Sequence, residues 1–233
     1  MENKKIKLWQ IILLIILLLL VIVIIITVRK TKILSDLQKK VSEYTTNSNL
    51  YFKVDSEQST IEKYMHNSLS KLIIKYKDKP MSIVQIIKEN EKTSYIFYES
   101  AKKVTISNGN DGNLIASSNI LQNTIIGDFV TTKSFVEKIL KSMSSKIYTE
   151  NIDGNDYYVI ESKNDNNYLN LQNVVLTKVY IDEETGLAKQ LVEVTKENNS
   201  EVEHVVNFEY NKDTINDDVF ENIDTTGYEV NWE

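Results

Sequence analysis

Few side chains in this sequence could carry out chemistry. It has no cysteine and only two histidines, His66 and His204, which lie far apart along the chain. Without cysteine there can be no disulfide, no thiol nucleophile and no thiolate metal site. A zinc site would need carboxylates beside both histidines, and no metal-binding motif of the H-x-x-E-H kind occurs. We therefore predict no catalytic residue, no metal and no cofactor.

Two acidic clusters are the remaining candidates for a general acid and base. Residues 182–184 read Asp-Glu-Glu shortly before a glycine, and residues 217–218 read Asp-Asp near the C-terminal end. Paired carboxylates catalyse glycoside hydrolysis, but charges beside a glycine are more typical of solvated turns. His204 falls on the apolar side of an alternating pattern, which favours a packed or groove-lining histidine. The interpretation is a protein that is not an enzyme, and the alternative is a hydrolase whose site the sequence hides.

The dominant structural element is residues 8–28, an apolar stretch without a charged side chain. A helix of this length is about 30 Å long, which matches the hydrocarbon core of a bilayer. No small-residue cleavage pattern follows it, so we predict an uncleaved anchor and not a signal peptide. Three lysines precede the stretch, and Arg29 with two lysines follows it, so the distribution of positive charge favours neither orientation strongly. The seven residues before the stretch are few enough to stay in the cytosol. We predict a single-pass protein of the cell membrane, with a cytoplasmic N-terminus and an extracytoplasmic bulk.

The chain therefore divides into a head and anchor, residues 1–30, and one extracytoplasmic domain, residues 31–233. Of the 27 basic and 33 acidic residues in the chain, residues 1–30 hold five and one. The domain is left with 22 basic and 32 acidic residues, a net charge of −10. Such a domain repels nucleic acid at long range, so we predict no nucleic-acid partner. A chain of this length can bury one good core, so a single domain is expected.

Hydrophobic periodicity predicts a mixed fold of the α+β class. Leu34, Leu37, Val41 and Tyr44 recur at helical spacing and predict a helix over residues 31–46, whose stripe packs on the domain or mediates dimerisation. A second helix is predicted over 135–144, with Ser134 and a glutamate three residues later as a capping box. The segment 60–67 is ambiguous, with strand favoured over helix. The other strands are predicted at 50–55, 70–76, 81–88, 94–98, 103–106, 147–151, 156–161, 174–181, 187–195 and 202–210, in an antiparallel arrangement.

Two stretches of the C-terminal half carry a resemblance to a known family. Residues 179–187 read V-Y-I-D-E-E-T-G-L, and residues 208–220 begin with F-E-Y-N and end with I-N-D-D-V-F. Both resemble motifs of the LolA/RseB-like lipoprotein-carrier fold, and the chain looks most like the clostridial germination lipoproteins within it. The resemblance is recognisable over residues 174–220. It implies a curved antiparallel half-barrel sheet with covering helices. The half-barrel arginine of the diderm carrier and the lipid-bearing cysteine of the germination proteins are absent.

The resemblance also implies a function. It indicates a membrane-anchored, non-catalytic binding module that supports spore germination or envelope processing through a protein partner, with a cell-wall amidase as the implied partner and the forespore membrane as the implied location. The alternative is a lipid or lipoprotein-binding, carrier-like module that holds an acyl chain at the membrane surface. A concave apolar sheet face would hold either ligand. The sequence does not fix which side of residues 202–210 is concave.

Overall fold

The computed structural model describes residues 8–45, 49–88, 91–108, 135–163, 169, 171–197, 200–212, 215–221 and 223–232. Helix α1 spans Leu8–Thr45, helix α2 spans Phe135–Ser144, and a short 3-10 helix covers Asp217–Phe220. The described strands are β1 Asn49–Asp55, β2 Ser59–His66, β3 Leu69–Tyr76, β4 Met81–Lys88, β5 Glu91–Tyr98, β6 Lys103–Asn108, β7 Ser145–Ile152, β8 Asn155–Ser162, β9 Val174–Asp182, β10 Ala188–Glu197, β11 Ser200–Asn211 and β12 Glu229–Trp232.

All of these strands belong to one sheet, in the order β12-β6-β5-β4-β3-β2-β1-β11-β10-β9-β8-β7. Strands β1 to β6 pair with their sequence neighbours, and so do β7 to β11. The two groups join where β1 runs antiparallel to β11, with Val54 opposite Phe208. The sheet is open and curved like a half-barrel. The predicted α+β class, an apolar N-terminal helix followed by a curved sheet, is confirmed.

Helix α1 is one uninterrupted helix of 38 residues, about 57 Å long. Its first part is long and apolar enough to cross a membrane, a criterion of length and composition that a signal sequence also meets. Its second part lies on the sheet, where Leu34 and Leu37 are 1% exposed and Val41 is 4% exposed. This confirms the helix predicted behind the apolar stretch. Its stripe packs into the domain core, the first of the two interpretations offered by the sequence.

Alternation and β-branched composition located the described strands other than β12, which was not predicted. Strand β4 and helix α2 have the predicted bounds, and the ambiguous segment 60–67 is strand β2. Strand β5 begins at Glu91, three residues earlier than predicted, because its first residues are polar and give no hydrophobic signal. The turn cluster that follows Asn108, the apolar segment 119–130 and Ser134 of the capping box lie outside the described residues.

The C-terminal segment crosses the outer face of the sheet, the face opposite the one that α1 covers. The carbonyl of Val219 accepts a hydrogen bond of 2.7 Å from Nζ of Lys71 on β3, and Phe220 is 1% exposed. Further along, Tyr228 packs edge-on against Phe97, with ring centroids 5.2 Å apart. Strand β12 then pairs with β6 in parallel, whereas the other described pairs are antiparallel. This parallel pair departs from the predicted arrangement, because the chain crosses six strands to reach the far edge.

Candidate functional site

The candidate site is the inner face of the sheet, the face against which α1 packs. It carries one continuous hydrophobic cluster that joins α1 to nine strands. Val206 and Phe208 belong to this cluster, so the inner side of β11 is the side that also bears His204. The buried members of the cluster are Leu34, Leu37, Leu50, Phe52, Val54, Ile61, Leu72, Ile74, Ile83, Ile96, Ile160, Val179, Ile181, Ala188, Leu191, Val206 and Phe208.

The turn between β9 and β10 fixes the position of α1 on this face. Oδ1 of Asp182 accepts hydrogen bonds from the backbone N–H and the hydroxyl of Thr185, at 2.7 and 2.8 Å. Gly186 follows with φ +73°, and a Cβ built on it would lie 2.6 Å from the carbonyl oxygen of Leu37 in α1. Only glycine combines the left-handed backbone with such a close approach. The Asp-x-x-Thr-Gly-Leu motif is therefore a contact between turn and helix.

We expect Gly186→Ala to lower the free energy of unfolding by about 1–3 kcal/mol, because it adds backbone strain and displaces α1. Gly154→Ala is the matched control, since Gly154 has φ +85° but no atom within 4 Å of the added Cβ. Denaturant unfolding of the full chain in detergent measures both variants. Equal losses of unfolding free energy in Gly186→Ala and Gly154→Ala would contradict a specific contact between Gly186 and α1.

A row of polar side chains crosses the inner face at the end where β8 finishes and β9 begins. Glu193 is completely buried, and its Oε2 accepts the backbone N–H of Leu169 at 3.3 Å. A buried carboxylate is tolerated only when such hydrogen bonds are present. Apart from His204, the members of this row were not predicted, although a polar residue on the apolar side of a strand is a signal that the sequence contains. The directly opposed residues of the row are Ser145, Ser162, Thr177, Glu193 and His204.

Lys63 is a charged residue in the apolar part of the inner face. It lies on β2 directly opposite Phe52 of β1 and Leu72 of β3. Its ammonium lies 5.9 Å from the centre of the Phe52 ring, and no carboxylate of a described residue forms an ion pair with it. Burial lowers the pKa of Lys63 below the ordinary 10.5. The inner face therefore contains a desolvated positive charge that an anionic group would stabilise.

Lys63→Met is expected to raise the free energy of unfolding by about 1–3 kcal/mol, because it removes the cost of partly burying a charge that has no carboxylate partner among the described residues. The gain should be full below the lowered folded-state pKa, where the lysine is charged in both the folded and the unfolded chain. It should fade as the pH rises from the lowered folded-state pKa towards 10.5, since the lysine then becomes neutral in the folded chain first. Thermal unfolding of both proteins across this pH range measures the effect.

Lys53→Met is the control for this prediction. Lys53 lies on the outer side of β1, where its Nζ is 3.4 Å from the exposed Glu209. A surface ion pair contributes little, so this variant should gain no stability. A comparable gain in both variants would show that added hydrophobicity, and not the removal of a buried charge, is the cause.

The two histidines have different surroundings. Nε2 of His66 lies 3.8 Å from Oδ1 of Asp217, and its Nδ1 is buried without a hydrogen-bond partner among the described residues. Nε2 of His204 lies 3.1 Å from the hydroxyl of Thr195, and its Nδ1 lies 3.4 Å from a carboxylate oxygen of Glu57. A hydroxyl, an imidazole and a carboxylate are thus connected, as in a nucleophile with its base and orienting group.

This arrangement around His204 was not expected from the sequence, because its members come from a turn and two strands. Thr195 is only 1% exposed, so its hydroxyl is closed to a substrate carbonyl. The contacts instead connect the turn after β1 to the inner face at the end of β10. That no catalytic residue is present stays a prediction.

The acidic clusters serve as structural elements of turns. The carbonyl of Glu183 accepts a hydrogen bond from Nζ of Lys40 in α1, and its carboxylate accepts one of 3.3 Å from the hydroxyl of Tyr158. Asp217 and Asp218 occupy the first turn of the 3-10 helix, with exposed side chains. Within the part of the chain that the structure describes, no group of three or more histidine, aspartate and glutamate side chains could hold a metal.

Comparison with known proteins gives structural likenesses at low sequence identity. No protein-family model and no curated protein matches the chain. A structure of MucB is similar with a TM-score of 0.43 and 12% identity, over 84% of this chain and 64% of MucB. The MucA/MucB complex of Pseudomonas aeruginosa gives 0.39 and 12%, over 83% and 61%. A LolA superfamily protein from Nitrosomonas europaea gives 0.25 and 11%, over 81% and 97%.

These comparisons describe architecture and nothing further. The chain spans less than two thirds of MucB. At these identities and scores the likeness carries no inference about a ligand or a partner.

Proposed function

We propose that the chain is a membrane-anchored, non-catalytic binding module whose inner face holds an apolar segment of a protein partner. One observation carries this proposal: the inner face already packs an amphipathic helix, since α1 buries Leu34, Leu37 and Val41 there. A curved apolar face that accepts one helix has the properties of a helix-binding groove. Lys63 on the same face adds a preference for a segment that carries a negative charge.

The proposal includes residues 1–30 as a retained anchor and residues 31–233 as an extracytoplasmic domain. Two features support retention: the absence of a cleavage pattern and the unbroken course of α1 from the apolar stretch into the domain. Nζ of Lys30 donates hydrogen bonds to the carbonyls of Ser142 and Ser145, at 3.0 and 2.6 Å, so the end of the anchor is bonded to the domain. The short head supports a cytoplasmic N-terminus.

A finer assignment rests on the sequence resemblance over residues 174–220. On that basis we extend the proposal to spore germination or envelope processing, with a cell-wall amidase as the partner and the forespore membrane as the location. The negative charge of the domain supports a partner that is not a nucleic acid.

The second candidate function is the binding of a lipid or a lipoprotein acyl chain on the same inner face. The continuity of α1 favours it, because the domain stands directly at the bilayer without a flexible linker. An acyl chain could reach the apolar inner face, and an anionic headgroup could meet Lys63.

Photo-crosslinking in native membranes tests both candidates. A photoreactive amino acid at Met65 lies on the inner face, beside the hydrophobic cluster, and the same group at Tyr64 is the matched outer-face control on the same strand. Protein adducts at position 65 alone support the leading proposal, and lipid adducts at position 65 alone support the second. Identical adducts at both positions, or none at position 65, would contradict an inner-face site.

The non-catalytic part of the proposal has its own test. His66→Ala, His204→Ala and Thr195→Val should leave the biological activity intact when the variants fold. Purified full-length protein should not turn over peptidoglycan or lipid. Turnover that is lost in Glu57→Gln would identify the Glu57, His204 and Thr195 group as a catalytic site and overturn this part.

A further inference from the structure

Helix α2 lies where the apolar part of α1 ends. The hydroxyl of Thr31 bonds to the carbonyl of Thr27 at 2.8 Å and to the hydroxyl of Ser142 of α2 at 3.2 Å. Nζ of Lys30 donates hydrogen bonds to the carbonyl of Ser142, in the last turn of α2, and to that of Ser145, the first residue of β7. Thr31 is three residues beyond Val28, a rise of about 4.5 Å along the helix. If residues 8–28 cross the hydrocarbon core, Ser142 therefore lies at the depth of the lipid headgroups.

Two large apolar side chains of α2 are exposed. Ser142 is fully buried against α1, whereas Leu140 and Met143 are 60% and 61% exposed. These two side chains are three residues apart, so they share one face of the helix. Strand β7 begins at Ser145, directly after α2, and its extended backbone places Glu150 about 17 Å from that end. Two large apolar side chains thus lie on the helix that contacts the end of the apolar part of α1, and the proposed anchor places them at interfacial depth.

We propose that α2 is an interfacial helix, whose Leu140 and Met143 contact the lipids of the membrane that α1 crosses. This inference rests on the proposed anchor. The lipid-contacting surface of α2 would lie beside α1, in the plane of the bilayer. An amphipathic helix in this position buries its apolar side at the boundary of headgroups and acyl chains. Helix α1 is one attachment to the membrane and α2 is a second, so the domain cannot rotate freely about the anchor. The sheet therefore has a fixed orientation relative to the membrane.

Spin labelling tests the contact directly, because the chain has no native cysteine. Leu140→Cys and Met143→Cys are introduced singly into the full chain and reconstituted in vesicles of phosphatidylcholine and phosphatidylglycerol. Val28→Cys is the reference for a lipid-exposed label, at the end of the proposed membrane span. Glu150→Cys is the water-exposed reference on β7, away from the anchor. Collision rates with oxygen, which concentrates in lipid, and with a water-soluble nickel chelate are measured for each label.

We expect the labels at 140 and 143 to have an oxygen-to-nickel ratio close to that at 28 and severalfold above that at 150. A ratio like that at 150, with position 28 still in lipid, would overturn the interfacial helix and leave the anchor intact. Labels at 140 and 143 shielded from both reagents would overturn it too, and would indicate a protein partner or a second copy on this face. A water-exposed label at position 28 would instead refute the anchor itself.

Discussion

Replacing Phe208 by alanine is expected to lower the free energy of unfolding by about 3–5 kcal/mol. Phe208 is 3% exposed and belongs to the inner-face cluster. It lies on β11 opposite Val54 of β1, in the pair of strands that joins the two halves of the sheet. The substitution leaves a cavity at that junction, which rigid neighbouring strands cannot fill. Chemical denaturation of the full chain in detergent, followed by near-ultraviolet circular dichroism, measures the loss.

Glu209→Ala is the matched control for this variant. Glu209 is the next residue on β11 and faces the outer side, where it forms an exposed ion pair with Lys53. Its removal should change stability by less than about 1 kcal/mol. Similar losses for Phe208→Ala and Glu209→Ala would show that the assignment of the two faces is wrong.

Leu18→Lys is expected to make membrane insertion of residues 8–28 less favourable by roughly 2.5–3.5 kcal/mol, because it places a cation at the middle of the span. Leu18 lies near the centre of the apolar part of α1. Because the stretch is long, Leu14→Lys together with Leu18→Lys is the variant expected to abolish insertion. Glycosylation of a reporter site in the domain, during synthesis into microsomes, measures the inserted fraction.

Val28→Lys controls for charge alone. Val28 lies at the end of the stretch, next to Arg29 and Lys30, where a lysine side chain can extend to the headgroups. Insertion should be nearly unchanged. Normal insertion of the double variant at 14 and 18 would contradict a transmembrane position for this stretch.

Local patterns in the sequence determine most of the fold, which explains how much could be predicted. Strand β11 largely alternates between apolar and polar residues, so it could be located to within two residues, and the helical period of α2 predicted the bounds of that helix. The parallel pairing of β12 with β6 could not be predicted, because it depends on the course of the chain across the outer face and not on any local period.

The candidate site was less predictable, for the same physical reason. The position of His204 on an apolar strand side was visible in the sequence, but its contacts with Thr195 and Glu57 depend on strand register and on a distant turn. The row that contains Glu193 likewise forms only when five strands are aligned. The apolar surroundings of Lys63 could not be predicted, because its neighbours Phe52 and Leu72 lie on other strands.

The junction of β1 with β11 also determines the order of folding. Lys53 and its partner Glu209 are 156 positions apart, whereas most other strand pairs are hairpins. Closing so long a loop costs entropy before any contact repays it, so we expect this junction to form late. During synthesis, strands β1 to β6 therefore emerge with the edge of β1 unpaired, and an unpaired edge readily accepts a strand from another chain. A chain interrupted before β11 is expected to self-associate through β1, and completion of the C-terminal half protects the protein from that aggregation.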